Sequence, residues 1–153
     1  MSLSPAKVNL FLFFKLPSAF WCGVRLQSLT STNSSATVRY RWFNQNPFKS
    51  MYFAVQSMAA ELTTGALVMQ AIQQSGANIS MLVVRNEAVF HKKAIGTITF
   101  ACIDDALLEE AVQKTIATGE GQLVTMKSTG KDQHGDQVSE FQFVWSIKFK
   151  SKK

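Results

Sequence analysis

Residues 50–76, SMYFAVQSMAAELTTGALVMQAIQQSG, are the stretch on which the fold turns. Met51, Val55, Met58, Leu62, Met69 and Ile72 are separated by fours, threes and one seven, and Gly65 falls on the same seam. That is a helical period. Ser50 offers a cap and Gly76 a left-handed close, so the spacing predicts a helix over 51–74. Between Lys49 and Arg85 the one charged residue is Glu61. A helix so apolar around its circumference belongs inside a domain or an interface, not on a surface.

On both sides of this helix the pattern changes to period two. Val24, Leu26 and Ser28 alternate with Arg25, Gln27 and Leu29. After the polar cluster 30–35, Val38, Tyr40 and Trp42 alternate with Thr37, Arg39 and Arg41, which predicts a hairpin with one buried face. Asn44-Gln45-Asn46-Pro47 ends the second strand. Ahead of the hairpin, Ser4-Pro5 starts a helix running to about Leu16, where Pro17 stops it. Beyond the long helix, strands are expected over 81–90 and 96–102. A second helix over 106–117 follows, capped by Asp104 and Asp105, with Leu108, Val112 and Ile116 as its stripe. A last hairpin joins 123–128 to 138–149. Strands gathered before and after one central helix favour an antiparallel sheet curled round it over a doubly wound parallel sheet. The expectation is a single α+β domain spanning 1–153, with an N-terminal docking helix, about six strands and a basic C-terminal tail.

Composition bounds the function classes. With 46% hydrophobic and 17% charged residues over 153 positions, the chain has the make-up of one globular domain. Cys22 and Cys102 stand far apart with no ligand spacing, so neither a disulfide framework nor a zinc site is indicated, and a reducing cytoplasm is the expected location. The apolar run 8–14 is too short to span a bilayer, and Lys15 and Pro17 end it without a clean cleavage site. The net charge is +6, with Lys148, Lys150, Lys152 and Lys153 crowded at the end. Such a tail can hold RNA or an anionic surface, and alternating lysines also keep a strand edge soluble.

The loop and helix start, Asn46-Pro-Phe-Lys-Ser-Met-Tyr-Phe-Ala-Val-Gln-Ser-Met-Ala-Ala-Glu61 with Thr63-Thr64-Gly65 behind it, resembles the hot-dog fold acyl-CoA thioesterases of the phenylacetyl-CoA branch. Asn46 and Glu61 stand at that family's separation of Asn and acidic residue. Pro47 occupies the place of a common His, and Phe53-Ala54 the place of a Gly-Gly pair. The resemblance implies a hot-dog fold and hydrolysis of an acyl-CoA or related thioester. It also implies a dimer or tetramer in which the acidic residue of one subunit meets the helix start of another. Coenzyme A would enter as part of the substrate, with no separate cofactor and no metal.

Thioester hydrolysis needs a base or nucleophile and a set of donors for the oxyanion. Glu61, with Met58 and Gly65 one turn before and after it, borders the apolar seam, where desolvation raises a carboxyl pKa. Gly65 leaves room beside it. The unpartnered amides of the helix start, Tyr52, Phe53 and Ala54, are the oxyanion candidates. Asn46 would orient the water or the acyl carbonyl. Arg85, Lys92 and Lys93 are candidates for the phosphates of coenzyme A, and Met58 for the acyl pocket.

Each assignment has a plainer alternative. Glu61 could face solvent or pair with Arg39 or Arg41, Asn46 could serve the turn alone, and the methionines could be core filling. His91 and His134 read as solvated. Two other functions compete: a non-catalytic acyl-CoA or lipid binder on the same fold, and a nucleic-acid module built on Arg39, Tyr40, Arg41 and Trp42. Alternation sets the arginines and aromatics of that strand on opposite faces, which disfavours a stacking platform. The leading expectation is therefore a thioester substrate, with neither nucleic acid nor membrane as partner.

Overall fold

The computed structural model describes residues 3–104 and 106–150. Asp105 and the tail lysines Lys152 and Lys153 lie outside them. The chain opens with α1 (Pro5–Lys15), capped as expected by the Ser4 hydroxyl, which accepts from the Lys7 amide at 3.4 Å. Val8 and Leu12 are buried, and Asn9 clamps the helix to the sheet by exchanging two 2.9 Å hydrogen bonds with the backbone of Leu26. Pro17 ends α1 and at the same time starts α2 (Pro17–Trp21), since proline suits a first helical turn.

Strands β1 (Arg25–Leu29) and β2 (Asn33–Arg39) form the first hairpin. Its turn is tighter than the polar cluster suggested, because Asn33, Ser34 and Ser35 already belong to β2. The alternation does not carry through to Trp42. The strand stops at Arg39, and residues Trp42–Asn44 form a 3-10 turn that leaves Trp42 81% exposed. Asn44 enforces this break. Its buried side chain donates to the carbonyls of Cys22 and Arg39 and accepts from the Arg41 amide, satisfying backbone that a continuing strand would have paired.

The long helix is α3 (Phe53–Ser75), closed by Gly76 at φ 65. It starts two residues later than the spacing predicted. Tyr52, not Ser50, stands at its N-cap, and no side chain caps it. Then come β3 (Ile79–Phe90), β4 (Thr97–Ile103), α4 (Leu107–Thr118), β5 (Gln122–Lys131) and β6 (Gln137–Phe149). The cap position of helix α4 is taken by Ala106, which makes no side-chain bond there, instead of Asp104. Its inner stripe is Leu108, Val112 and Thr115, and Ile116 is exposed.

All six strands pair antiparallel in the order β1-β2-β4-β5-β6-β3, which makes β1 and β3 the two edges. Helix α3 lies against the buried face of this sheet, with Val55, Ala59, Ala60, Ala66, Leu67 and Val68 almost wholly buried. Three polar residues of the same helix, Gln56, Thr63 and Thr64, are also buried, and each is hydrogen-bonded. Thr63 accepts from or donates to the Ser128 hydroxyl at 2.8 Å, and its carbonyl receives the Ser34 hydroxyl at 2.6 Å. Thr64 accepts the Trp145 indole N–H at 3.0 Å, and Gln56 accepts the Ser139 hydroxyl at 2.8 Å. These links fix the helix to β2, β5 and β6, while the buried Oε1 of Gln70 on the same helix has no hydrogen-bond partner among the described residues.

Strand β3 carries a bulge. Val83 pairs with Trp145 and Arg85 with Val144, so Val84 is the extra residue. A bulge reverses the parity of whatever follows it. Up to Val83 the odd-numbered positions face α3, and beyond it Asn86 and Phe90 do.

Candidate functional site

Two clefts flank the start of α3. The first lies between α3 and strands β3 and β6. It is an open groove with a volume of about 310 Å³, bounded by Phe53, Ala54, Met58, Glu61, Val83 and Phe143 together with Ser57 and Asn86. Glu61 is exposed in the single chain, because the groove is open at its mouth. Protein nevertheless crowds its carboxyl group enough that lost hydration pushes the pKa above the ordinary glutamate value. Neither Arg39 nor Arg41 pairs with it, and among the described residues its carboxylate has no cationic partner. The groove is therefore apolar on most sides, holds one uncompensated acid, and is not enclosed as the buried-seam reading implied.

The second cleft, about 400 Å³, is bounded by the loop before α3 and the segment after β3. It gathers Asn46, Tyr52, Phe53, Lys92 and Lys93 from the predicted set, with Gln56, Phe90 and His91 beside them. Asn46 is occupied in holding its own loop. Its Oδ1 accepts from the amides of Phe48 at 2.9 Å and Ser50 at 3.3 Å, and its Nδ2 donates to the Ser50 hydroxyl at 3.1 Å. The turn that results delivers the chain into α3 at a fixed angle.

At the helix start the three candidate donors are not equivalent. The Tyr52 amide donates to the Asn44 carbonyl at 2.9 Å and is committed there. The amides of Phe53 and Ala54 have no acceptor among the described residues. Two free N–H groups at the positive end of a 23-residue helix remain.

Other candidates fall elsewhere. The space at Gly65 is already filled. A Cβ there would stand 3.3 Å from the Trp145 ring, so the glycine admits an indole and opens nothing beside Glu61. Arg85 pairs with Glu87 on the exposed strand, and the bulge at Val84 explains why. Simple alternation would have set Arg85 on the face of Val83, whereas Asn86 takes that place. Lys92 is held by Asp132 at 2.7 Å and Asp136 at 2.9 Å, hydrogen bonds that raise its pKa and keep it protonated while the two carboxylates offset its charge. Lys93 donates to the Phe48 carbonyl at 3.1 Å on the rim of the second cleft and is the cation there without an acidic partner. His91, read as solvated, lines the same cleft and stands 3.7 Å from Glu140. Val83, Asn86, Phe143 and Gln56 were not picked out from sequence. The strand periods could have placed Phe143 inward, but nothing local marks it as lining a groove. Among the described residues no group of three His, Cys, Asp or Glu side chains converges.

The chain matches the family described as Domain of unknown function (DUF4442) over residues 6–147, and it belongs to that family. No curated protein matches it by sequence. Among solved structures it is similar to a protein of unknown function from Pseudomonas aeruginosa, described as a probable thioesterase. The identity is 20%, the coverage 98% of this chain and 99% of that one, and the TM-score 0.82. A protein of unknown function from Chlorobaculum tepidum aligns at 15% identity, covering 97% and 99% with a TM-score of 0.82. A thioesterase from Haemophilus influenzae aligns at 11% identity, covering 97% and 93% with a TM-score of 0.77. The sheet wrapped on α3 is a hot-dog fold, the architecture these solved structures share.

Proposed function

We propose that this protein hydrolyses a thioester of the acyl-CoA class, with Glu61 as general base. One observation carries the reading: an acid with no cationic partner and a raised pKa sits in a groove of otherwise mostly apolar lining. A carboxylate in that state accepts a proton more readily near neutral pH than an ordinary one. Glu61 takes a proton from water as its oxygen attacks the acyl carbon. The oxyanion is held by backbone N–H groups, and the proton passes to the sulfur as the carbon–sulfur bond breaks, giving a carboxylic acid and a free thiol.

This reading calls for a second copy of the chain. Phe53 and Glu61 are eight residues apart on one helix, about 12 Å along its axis at 1.5 Å per residue, too far to serve one carbonyl. The edge strand β3 is hydrogen-bonded to β6 alone, borders the Glu61 groove through Val83 and Asn86, and exposes Leu82, Val84, Val89 and Phe90. Pairing β3 with its own copy satisfies that edge and sets the Phe53 and Ala54 amides of one chain toward Glu61 of the other. Asn46 holds the amides in place, Met58 borders the acyl group, and Lys93 is the cation for the coenzyme A phosphates.

The test is release of free thiol from a panel of acyl-CoA thioesters. Glu61→Gln is expected to lower turnover by roughly 10² to 10⁴. An unchanged rate refutes the base assignment. Phe53 favours a second reading, an acyl-CoA binder without turnover, because its exposed ring stands at the helix start beside the free amides. Binding of the same thioesters without thiol release would establish that reading instead.

A further inference from the structure

All of the net charge of the chain comes from its first sixty residues. Sixteen Lys and Arg face ten Asp and Glu overall; six of the cations and none of the acids precede Glu61, and the ten remaining cations are matched by the ten acids. The same sixty residues hold an apolar surface that the fold leaves uncovered. Helix α1 buries Val8 and Leu12 and turns Leu10, Phe11 and Phe14 outward, Phe14 to 67%. Trp21 follows at 65%, and the 3-10 turn adds Trp42 and Phe43.

These groups form one patch. Phe14 stacks edge-on against Phe13, Phe13 against Phe20, and Phe20 against Trp21. Arg25 lies 3.7 Å over the Phe20 ring, and Arg41 is close enough to lower its pKa after burial has done so. Asn44, at the end of the 3-10 turn, bonds the carbonyl of Cys22 next to Trp21. Among the described residues Lys15, Arg25, Arg39, Arg41 and Lys49 make no ion pair.

We propose that the face made by α1, α2 and the 3-10 turn docks on an anionic lipid bilayer. No helix among the described residues is long and apolar enough to cross a membrane, so the contact is peripheral. Tryptophan and phenylalanine side chains exposed on a short helix, rimmed by lysine and arginine, are the chemistry of an interfacial anchor: rings enter the headgroup layer and the cations meet lipid phosphates. A second copy fits poorly. Two-fold self-contact would press one cationic patch against its twin, a like-charge juxtaposition with no acid in the first sixty residues to relieve it. RNA is the rival polyanion, because the exposed rings of Phe14, Trp21 and Trp42 would also stack on bases; the aliphatic Leu10 and Leu16 among them favour the acyl region of a bilayer. The proposal stands apart from the enzymatic reading and survives its failure.

The test uses the full chain with vesicles of phosphatidylcholine alone or mixed equally with phosphatidylglycerol. Co-sedimentation is expected with the mixed vesicles only. Brominated lipid is expected to quench Trp21 and Trp42 and to spare Trp145, which is 3% exposed. Lys15→Glu with Arg41→Glu is expected to weaken partitioning by at least about 25-fold, at about fivefold per charge. Phe14→Ser with Trp42→Ser is expected to abolish it, with the near-ultraviolet signal of Trp145 unchanged as proof of folding. The quenching on the unaltered protein needs no variant. The proposal is overturned by failure to bind mixed vesicles, by binding indifferent to lipid charge, or by a change in sedimenting mass in the Phe14 and Trp42 variant. Retention of the protein on single-stranded RNA in preference to vesicles would also overturn it.

Discussion

Glu61 shows what one residue's surroundings dictate. Burial makes its charged form costly, so its folded pKa lies above the unfolded value, and the folded state binds more protons between the two. Stability contributed at this position is then greatest below the unfolded pKa and declines as pH rises through the folded one. Glu61→Gln removes the charge and keeps the shape. Its melting temperature relative to the parent is expected to be higher at pH 7 and to converge on it toward pH 4; an offset that stays constant across this range contradicts the burial argument. The acid was legible because it is alone in a long uncharged run. Gly65 was misread because its partner is Trp145, eighty positions away in the chain, and no local pattern announces a ring arriving from another strand. Tyr52 was misplaced as a donor for a similar reason, since its amide goes to Asn44 across a loop that sequence spacing does not close.

At the level of elements, helices and strands emerged wherever apolar residues kept a steady period, and α3, β4 and β6 differ from expectation by a residue or two. The failures share a cause. Asn44 ends β2 through side-chain bonds to backbone, and Val84 shifts the parity of β3; a single residue in each case overrides a period carried by many. Strand β5 offers a test of how closely such elements fit. Gly130 pairs with Phe100, and a Cβ added there would stand 2.5 Å from that fully buried ring, against 3.3 Å between Gly65 and the Trp145 ring. Gly130→Ala is expected to destabilise by about 1–3 kcal/mol, and by more than Gly65→Ala, in urea unfolding. Equal costs would mean that Phe100 yields freely.

For the whole molecule, the sheet has two edges with different characters. Strand β3 presents an unpaired backbone row and exposed Leu82 and Val89, and charged side chains there block strand addition. On the proposed arrangement, in which two chains share the site, Leu82→Lys with Val89→Lys is expected to halve the sedimenting mass and to lose thiol release as well. A variant that keeps both its mass and its turnover rules out β3 as the joint. The far edge, β1, lies beside α1 and the unbalanced cations. The first sixty residues, which supply α1, α2, β1 and β2, carry all of the net positive charge and are the positive pole of the polypeptide. In dilute buffer any polyanion drifting in, whether phospholipid or nucleotide thioester, is turned and drawn toward that pole before it touches a side chain.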